Sequence, residues 1–203
     1  MPGMPWEYME EPHGRCHKTG ARKGLRRNAG SIRTMSIIKL AQAERIIDAI
    51  IERGEALDTR PLAVVVVEPG CKVKAFKKED GASMIRFEMA FGKAYAALAL
   101  GRSSMLVHQR AEERPIFMRY LIAASNEQIF PEGGGMVIRN NDGEMIGAVG
   151  VTGDTEDRDD ELAAFGIRAA GLKTDEDCAG MGRKIGLIRT KPPARHARKR
   201  KPK

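Results

Sequence analysis

The chain has 203 residues, a formal net charge of +8 and a hydrophobic content of 42%, but only 5% aromatic residues. This length suits one domain with extensions, and no apolar run approaches the roughly 18 residues of a transmembrane helix. Three cysteines without a Cys-x-x-Cys pair argue against a disulfide framework or a structural zinc site. No secretory signal is readable, so we predict a cytoplasmic protein without a membrane partner.

The positive charge lies at the ends of the chain. Residues 1–34 carry a net charge of +4 and residues 173–203 carry +8, whereas residues 35–172 carry −4. A mildly acidic centre argues against a nucleic-acid-binding face on the domain itself. The cationic run Arg195–Lys203 contains no aromatic residue for base stacking. The tails therefore predict at most weak, non-specific contact with nucleic acid.

Composition also suggests domain boundaries. Residues 1–34 and 188–203 lack any apolar period, so we predict two basic disordered extensions around a domain over residues 35–187. An amphipathic segment begins directly after Met35. We therefore predict that Met35 is the true start of the protein.

The first half of the domain reads as a helix followed by a hairpin. Apolar residues at helical spacing, beginning with Ile37 and Leu40, predict a helix over residues 36–52 that ends near Gly54. The β-branched run 62–67 predicts a central strand covered on both faces. Pro69 and Gly70 suit the centre of a type II turn, and residues 72–77 would form the returning strand.

The second half begins with a helix over residues 83–100. Residues 102–125 look partly helical, with a break at Pro115. Further elements follow: a strand at 136–139, a turn at Asn140–Gly143, a strand at 144–152, and a helix at about 160–171 that Asp159 or Asp160 would cap. Two hairpins wrapped by helices predict an α/β domain of the α+β type, with an antiparallel sheet flanked by helices.

Several motifs in this order resemble the GlcG/HbpS family, which includes the C-terminal domain of PduO-type proteins. The resembling segments are Val64-Val-Val-Val-Glu-Pro-Gly70, Lys77-x-x-Asp-Gly-Ala82, Lys93-Ala94, Pro131-x-Gly-Gly-Gly135, Ile146-Gly-Ala-Val-Gly-Val-Thr-Gly153 and Asp160-Glu-x-x-Ala164. They cover roughly residues 36–172. The resemblance implies a profilin-like fold, a homo-oligomer and, for some members, binding of haem or a related small ligand.

The resemblance has departures. Glu68 and Thr152 stand where the family commonly has Asp and Ser. Some relatives ligate haem through a histidine of the first helix, and residues 36–52 contain none. His108 is the only histidine between residues 35 and 187, and imidazole is a common haem ligand. We therefore name His108 as the candidate axial ligand, with Tyr95, Tyr120 or a methionine as alternatives.

Six residues are candidate contacts for a small ligand. Asp80 precedes a predicted helix, where its carboxylate would either cap the helix or line the rim of a pocket. Arg86 would contribute to the same rim. Lys93 lies on a small-residue helix face, so it either extends to solvent or, if buried, pairs with a carboxylate of the protein or of a ligand. The glycines Gly133, Gly134 and Gly135 offer unobstructed N–H groups to a carboxylate or phosphate, or they allow a close backbone crossing.

No catalytic triad order, telling carboxylate pair or metal-ligand cluster is visible in the sequence. Haem is the predicted cofactor, with haem degradation as a possible activity. The alternatives are an enzyme acting on a small carboxylate or an aromatic-pathway metabolite, and an accessory subunit without a ligand. In the enzyme reading, Asp80 or His108 would move a proton.

Overall fold

The computed structural model describes residues 36–179. Its elements are α1 (Leu40–Ala56), β1 (Ala63–Val67), β2 (Val73–Lys78), α2 (Arg86–Leu100), α3 (Ser104–Glu113), α4 (Pro115–Ala124), β3 (Gly135–Arg139), β4 (Met145–Thr152) and α5 (Glu156–Ala169). The predicted disordered tails, the predicted start at Met35 and the end of the predicted domain lie outside the described residues.

The four strands form one antiparallel sheet in the order β2-β1-β4-β3. Every residue of β1 is buried, because β1 lies between two strands and its side chains alternate between two helical layers. Val64 and Val66 face α1 and α5, whereas Val65 and Val67 face α2. The predicted antiparallel sheet flanked by helices is confirmed.

Helix α1 differs from its predicted bounds. Residues 36–39 have no regular secondary structure, and the N–H of Ile38 donates to the carbonyl oxygen of Ile146 at 3.0 Å. The helix therefore begins at Leu40, which is exposed like Ile37. Gly54 does not end the helix, which continues to Ala56. Gly54 instead lies against Leu62, where a side chain would clash.

The two hairpin turns are placed as predicted, but the first has another geometry. The N–H of Cys71 donates to the carbonyl oxygen of Glu68 at 2.8 Å, and the positive φ of 55° belongs to Cys71. Gly70 has no positive φ, so the turn is not type II. In the second hairpin, Gly143 has a φ of 81°, as expected for glycine in such a turn.

Helix α2 lies unusually close to the sheet because glycines of β3 and β4 face it. A Cβ atom on Gly150 would lie 1.9 Å from the carbonyl oxygen of Ala90, and one on Gly135 would lie 2.2 Å from that of Lys93. Both contacts are with helix backbone, which cannot move aside as a side chain can. The glycines of β3 and β4 thus let a helix approach the sheet closely.

Helix α5 starts earlier than predicted and has another cap. Its cap is Thr155, whose hydroxyl oxygen accepts a hydrogen bond from the N–H of Arg158 at 3.4 Å. The predicted caps, Asp159 and Asp160, lie inside the first turns of the helix. Their carboxylates are engaged elsewhere, as described below.

The segment after α5 is held by two ion pairs. Arg139 Nε lies 2.6 Å from Asp175 Oδ1, and Arg168 Nη2 lies 3.1 Å from Asp177 Oδ1. The hydrogen bond from Arg168, followed by that from the Thr174 N–H, lowers the pKa of Asp177 to about 2. Asp177 therefore stays ionised in all but strongly acidic solution.

The close approach of α2 can be tested by adding one methyl group. Gly150→Ala should lower the free energy of unfolding by about 1–3 kcal/mol or more, because the new Cβ overlaps fixed backbone atoms. Gly70→Ala is the matched control, since a Cβ there meets nothing within 4 Å. Urea denaturation would measure both variants. Equal stability of the two would contradict the observed closeness of α2 and β4.

Candidate functional site

A buried ion pair joins α2 to α5. Lys93 is 3% exposed, and its Nζ lies 2.8 Å from Asp159 Oδ2 and 3.2 Å from the carbonyl oxygen of Val151. The close packing of α2 on the sheet positions this side chain, because Gly135 and Gly150 lie directly against the backbone of α2. Of the two arrangements considered for Lys93, the structure has the buried one, with a carboxylate of the protein as partner.

Asp159 is 1% exposed and has a second role in the backbone. Its Oδ1 accepts a hydrogen bond from the N–H of Asp154 at 3.1 Å, which fixes the turn before α5. Burial raises the pKa of Asp159, although the Lys93 ammonium and the N–H donors act in the opposite direction. Substitution of one partner alone should therefore destabilise the fold, since it leaves the other buried charge without compensation.

The glycine loop before β3 uses its N–H groups within the protein. The N–H of Gly133 donates to Glu156 Oε2 at 3.0 Å, that of Gly134 to Asp160 Oδ1 at 3.2 Å, and that of Gly135 to Ser104 Oγ at 2.7 Å. The sequence reading of free N–H groups that cradle a ligand does not fit this arrangement. A ligand would have to displace these side chains, so the role of the three glycines in binding stays a prediction.

His108 lies among carboxylates beside the glycine loop. Its Nδ1 lies 3.1 Å from the carbonyl oxygen of Pro131, 3.5 Å from Glu156 Oε2 and 3.9 Å from Glu132 Oε1. Its Nε2 lies 3.6 Å from Glu112 Oε1. The sequence showed no metal-ligand cluster, but the fold brings a candidate group together: one ligand atom each from His108, Glu132 and Glu156 lie within 4.8 Å of one another.

The two glutamates of this cluster share a hydrogen bond. The bond to Glu156, together with burial, raises the pKa of Glu132, whereas the same bond lowers the pKa of Glu156. The N–H of Gly133 and the neighbouring His108 and Lys93 lower the pKa of Glu156 further. The opposite shifts reflect two carboxyl groups close enough to affect each other's ionisation.

Arg86 and Asp80 do not form one site with this cluster. Arg86 donates to Thr152 Oγ1 at 3.0 Å and to the carbonyl oxygen of Gly153 at 3.3 Å, while its Nε is buried without an acceptor. Asp80 is exposed in a turn, and α2 begins only at Arg86, so the expected cap at Asp80 is wrong. The ligand-binding roles of Asp80 and Arg86 stay predictions.

A cavity of about 230 Å³ lies where α2 ends, beside α3 and α4. It is lined by Leu100, Arg102, Val107, Arg110, Phe117 and Leu121. The guanidinium carbons of Arg110 and Arg114 lie 5.7 and 4.6 Å from the centroid of the Phe117 ring. Sequence reasoning named none of the lining residues, although arginines interleaved with apolar residues over 100–121 were a visible signal.

The apolar surface continues outside this cavity. On α4, Ile116 is 84% exposed and Tyr120 is 71% exposed, one position before the lining residues Phe117 and Leu121. A second cavity of about 270 Å³ differs in charge, because Asp160, Asp175 and Glu176 line it. Among residues 36–179, none of the helices combines the length and the apolar character needed to cross a bilayer.

Comparison with known proteins shows that the chain belongs to the HbpS-like family. The model of the family described as haem degrading protein HbpS-like matches residues 38–168. An uncharacterised 15.0 kDa protein from the dhaT-dhaS intergenic region of Citrobacter freundii is 30% identical over 131 residues, which cover 64% of this chain and 89% of that protein.

Solved structures with the same fold are similar at lower identity. The Klebsiella pneumoniae protein ORFY has a TM-score of 0.63 and 22% identity, with 70% of this chain and 95% of that chain covered. A PduOC:heme complex has a TM-score of 0.61 and 21% identity, with 68% and 98% covered. HbpS has a TM-score of 0.57 and 21% identity, with 74% and 96% covered.

The buried ion pair predicts that loss of one partner destabilises the protein more than loss of both. Lys93→Met should lower the free energy of unfolding by about 3–5 kcal/mol at neutral pH, because Asp159 stays buried without its partner. The loss should shrink as the pH falls and protonates Asp159, since the neutral acid needs no cation. Chemical denaturation at several pH values measures both effects.

The double variant Lys93→Met/Asp159→Leu is the control for this prediction. It removes both charges and should recover much of the lost stability. A single variant as stable as the wild type would contradict a buried pair, as would a double variant no more stable than the single one.

Proposed function

Because the chain belongs to the HbpS-like family of haem-degrading proteins, we propose that it binds haem in the cavity beside α2, α3 and α4. The observation that carries this proposal is the combination of apolar walls with Arg102 and Arg110 in the same cavity. Haem is a flat apolar ring with two propionate groups at one edge. Apolar walls and two guanidinium groups match that distribution of polarity.

The charge of the two cavities favours this location. Arginine pairs with carboxylates through directed N–H donors, and the guanidinium stays charged at all relevant pH values. The second cavity presents Asp160, Asp175 and Glu176. These carboxylates would repel the propionates of haem, so the arginine-lined cavity is the better fit.

The size of the cavity limits how much of the ring it encloses. Its volume of about 230 Å³ is below the roughly 300–1,000 Å³ of typical ligand pockets. One edge of the ring would enter, and the remainder would lie on the exposed apolar surface of α4, next to Ile116 and Tyr120. A second copy of the chain would cover the outer face, in agreement with the predicted homo-oligomer.

The geometry of α3 bears on the iron ligand. Val107 and Arg110 line the cavity, and one residue along a helix turns the side chain by about 100°. His108 accordingly points to Pro131 and Glu156. Tyr120 does not line the cavity either, but its side chain is 71% exposed on α4, on the surface where the remainder of the ring would lie, and tyrosinate ligates haem iron in some proteins. We therefore rank Tyr120 above His108 as the iron ligand of haem bound in this cavity.

The residues of the chain would then have separate tasks. Arg102 and Arg110 would bind the propionates and orient the ring. Leu100, Phe117 and Leu121 would exclude water from the enclosed edge. The bound iron would supply the redox chemistry with oxygen that haem degradation requires.

Haemin titration tests the proposal. The wild-type chain should give a saturable Soret shift at one haemin per subunit. Arg102→Ala/Arg110→Ala should weaken the affinity at least tenfold, because each charge-assisted hydrogen bond contributes about 1.5–3 kcal/mol. The matched control is Arg119→Ala, an exposed arginine of α4 outside the cavity.

Two further variants identify the iron ligand. Tyr120→Phe should change the Soret position, whereas His108→Ala should leave it unchanged. A spectral change with His108→Ala alone would restore the histidine as ligand and contradict the location. Titrations at high salt suppress binding of haemin to the basic tails. The absence of a saturable shift would contradict haem binding and favour the alternative of a small carboxylate or aromatic-pathway metabolite.

A further inference from the structure

We propose that His108, Glu132 and Glu156 bind a divalent first-row transition-metal ion, separate from any haem. One ligand atom of each residue lies within 4.8 Å of the others, so a cation placed between them could contact all three after small side-chain rotations. The three side chains are 28%, 35% and 35% exposed. An ion could therefore enter from solvent and keep water at its remaining positions.

The ligand set indicates the class of ion. One imidazole nitrogen and two carboxylate oxygens suit Zn²⁺, Fe²⁺ or Mn²⁺, whereas Ca²⁺ and Mg²⁺ prefer oxygen ligands alone. The carbonyl oxygen of Pro131, 3.1 Å from His108 Nδ1, lies beside the same space. It is available as a further oxygen ligand.

The surroundings of the three residues also resemble a metal centre. Metal-bound imidazoles commonly donate their other N–H to a carboxylate, and Glu112 Oε1 lies 3.6 Å from His108 Nε2. The N–H of Gly133 holds Glu156 Oε2 at 3.0 Å, which orients that carboxylate. With Nδ1 on the ion, His108 would carry its proton on Nε2, facing Glu112.

The charge of the cluster needs compensation. Glu132 and Glu156 are hydrogen-bonded to each other, and within residues 36–179 neither carboxylate has a lysine or arginine partner. Lys93 is the nearby ammonium, and Asp159 already occupies it. A divalent cation between the three side chains would neutralise both carboxylates, with His108 completing the ligand set.

Calorimetric titration of the full haem-free chain with Zn²⁺ tests this site. The wild-type chain should bind one Zn²⁺ more than Glu132→Gln/Glu156→Gln, or bind it at least tenfold more tightly. Glutamine keeps the acceptor for the Gly133 N–H, so the fold should persist. The control is Glu113→Gln, the same change on an exposed residue of α3, which should bind as the wild type does.

The same comparison distinguishes this site from Zn²⁺ bound elsewhere on the chain. The N-terminal segment contains His13, Cys16 and His17, which can add Zn²⁺ binding in every variant. Only the binding that the double variant loses therefore counts toward the site. If the double variant melts early, His108→Ala replaces it, and Co²⁺ absorption reports the loss of the nitrogen ligand.

Two results would overturn the proposal. The first is equal Zn²⁺ stoichiometry and affinity in the wild type and the double variant. The second is a Co²⁺ spectrum that does not change with His108→Ala. Haemin titration of the double variant separates the two proposals, because haem bound at Arg102 and Arg110 should be unaffected by the loss of Glu132 and Glu156.

Discussion

The close approach of α2 to the glycines of β3 and β4 is the constraint on which the rest of the structure depends. Gly135 and Gly150 bring the helix backbone against the strands. Lys93 is buried in this position, and its Nζ lies 2.8 Å from Asp159 Oδ2. Because Asp159 also holds the turn before α5, one backbone contact in the sheet fixes a helix on the opposite layer.

The close approach of α2 to the sheet also determines which side chains lie beside the glycine loop, residues 133–135. Gly135 enters β3 beneath α2, and the preceding glycines donate to Glu156 and Asp160 of α5. Glu156 is thereby held next to His108 of α3. The cluster of one histidine and two glutamates is thus a consequence of how tightly the sheet, α3 and α5 meet, and its geometry does not rely on exposed loops alone.

Helix α3 separates two chemically different surfaces. Val107 and Arg110 line an apolar cavity with cationic groups, whereas His108 faces carboxylates on another side. A carboxylate-bearing apolar ring suits the first surface, and a cation suits the second. Two proposed ligands of opposite character can therefore bind to one small domain without competing for residues.

Local patterns predicted much of the fold. The β-branched run of β1, the hairpin turn at Asn140–Gly143 and the break at Pro115 are all where the sequence places them. These features depend on neighbours in the chain, which periodicity and turn chemistry describe. The start of α1 could not be predicted in this way, because Ile38, just before the helix, is hydrogen-bonded to distant Ile146.

The site was harder to predict for a related reason. The sequence indicated that a buried Lys93 needs a carboxylate, but it assigned Asp159 to a helix cap. The partner is known only once α5 is placed against α2. His108, Glu132 and Glu156 come from separate elements, so no spacing rule in the chain could have joined them.

The most direct test of the account is to locate a tetrapyrrole on the domain. The diamagnetic gallium complex of protoporphyrin can be titrated into the isotopically labelled chain while amide NMR shifts are followed. The account predicts that the largest shifts occur at the end of α2 and along α3 and α4, around Leu100, Phe117 and Leu121. Shifts concentrated at Arg86 and the first turn of α2, or confined to the basic tails, would contradict it.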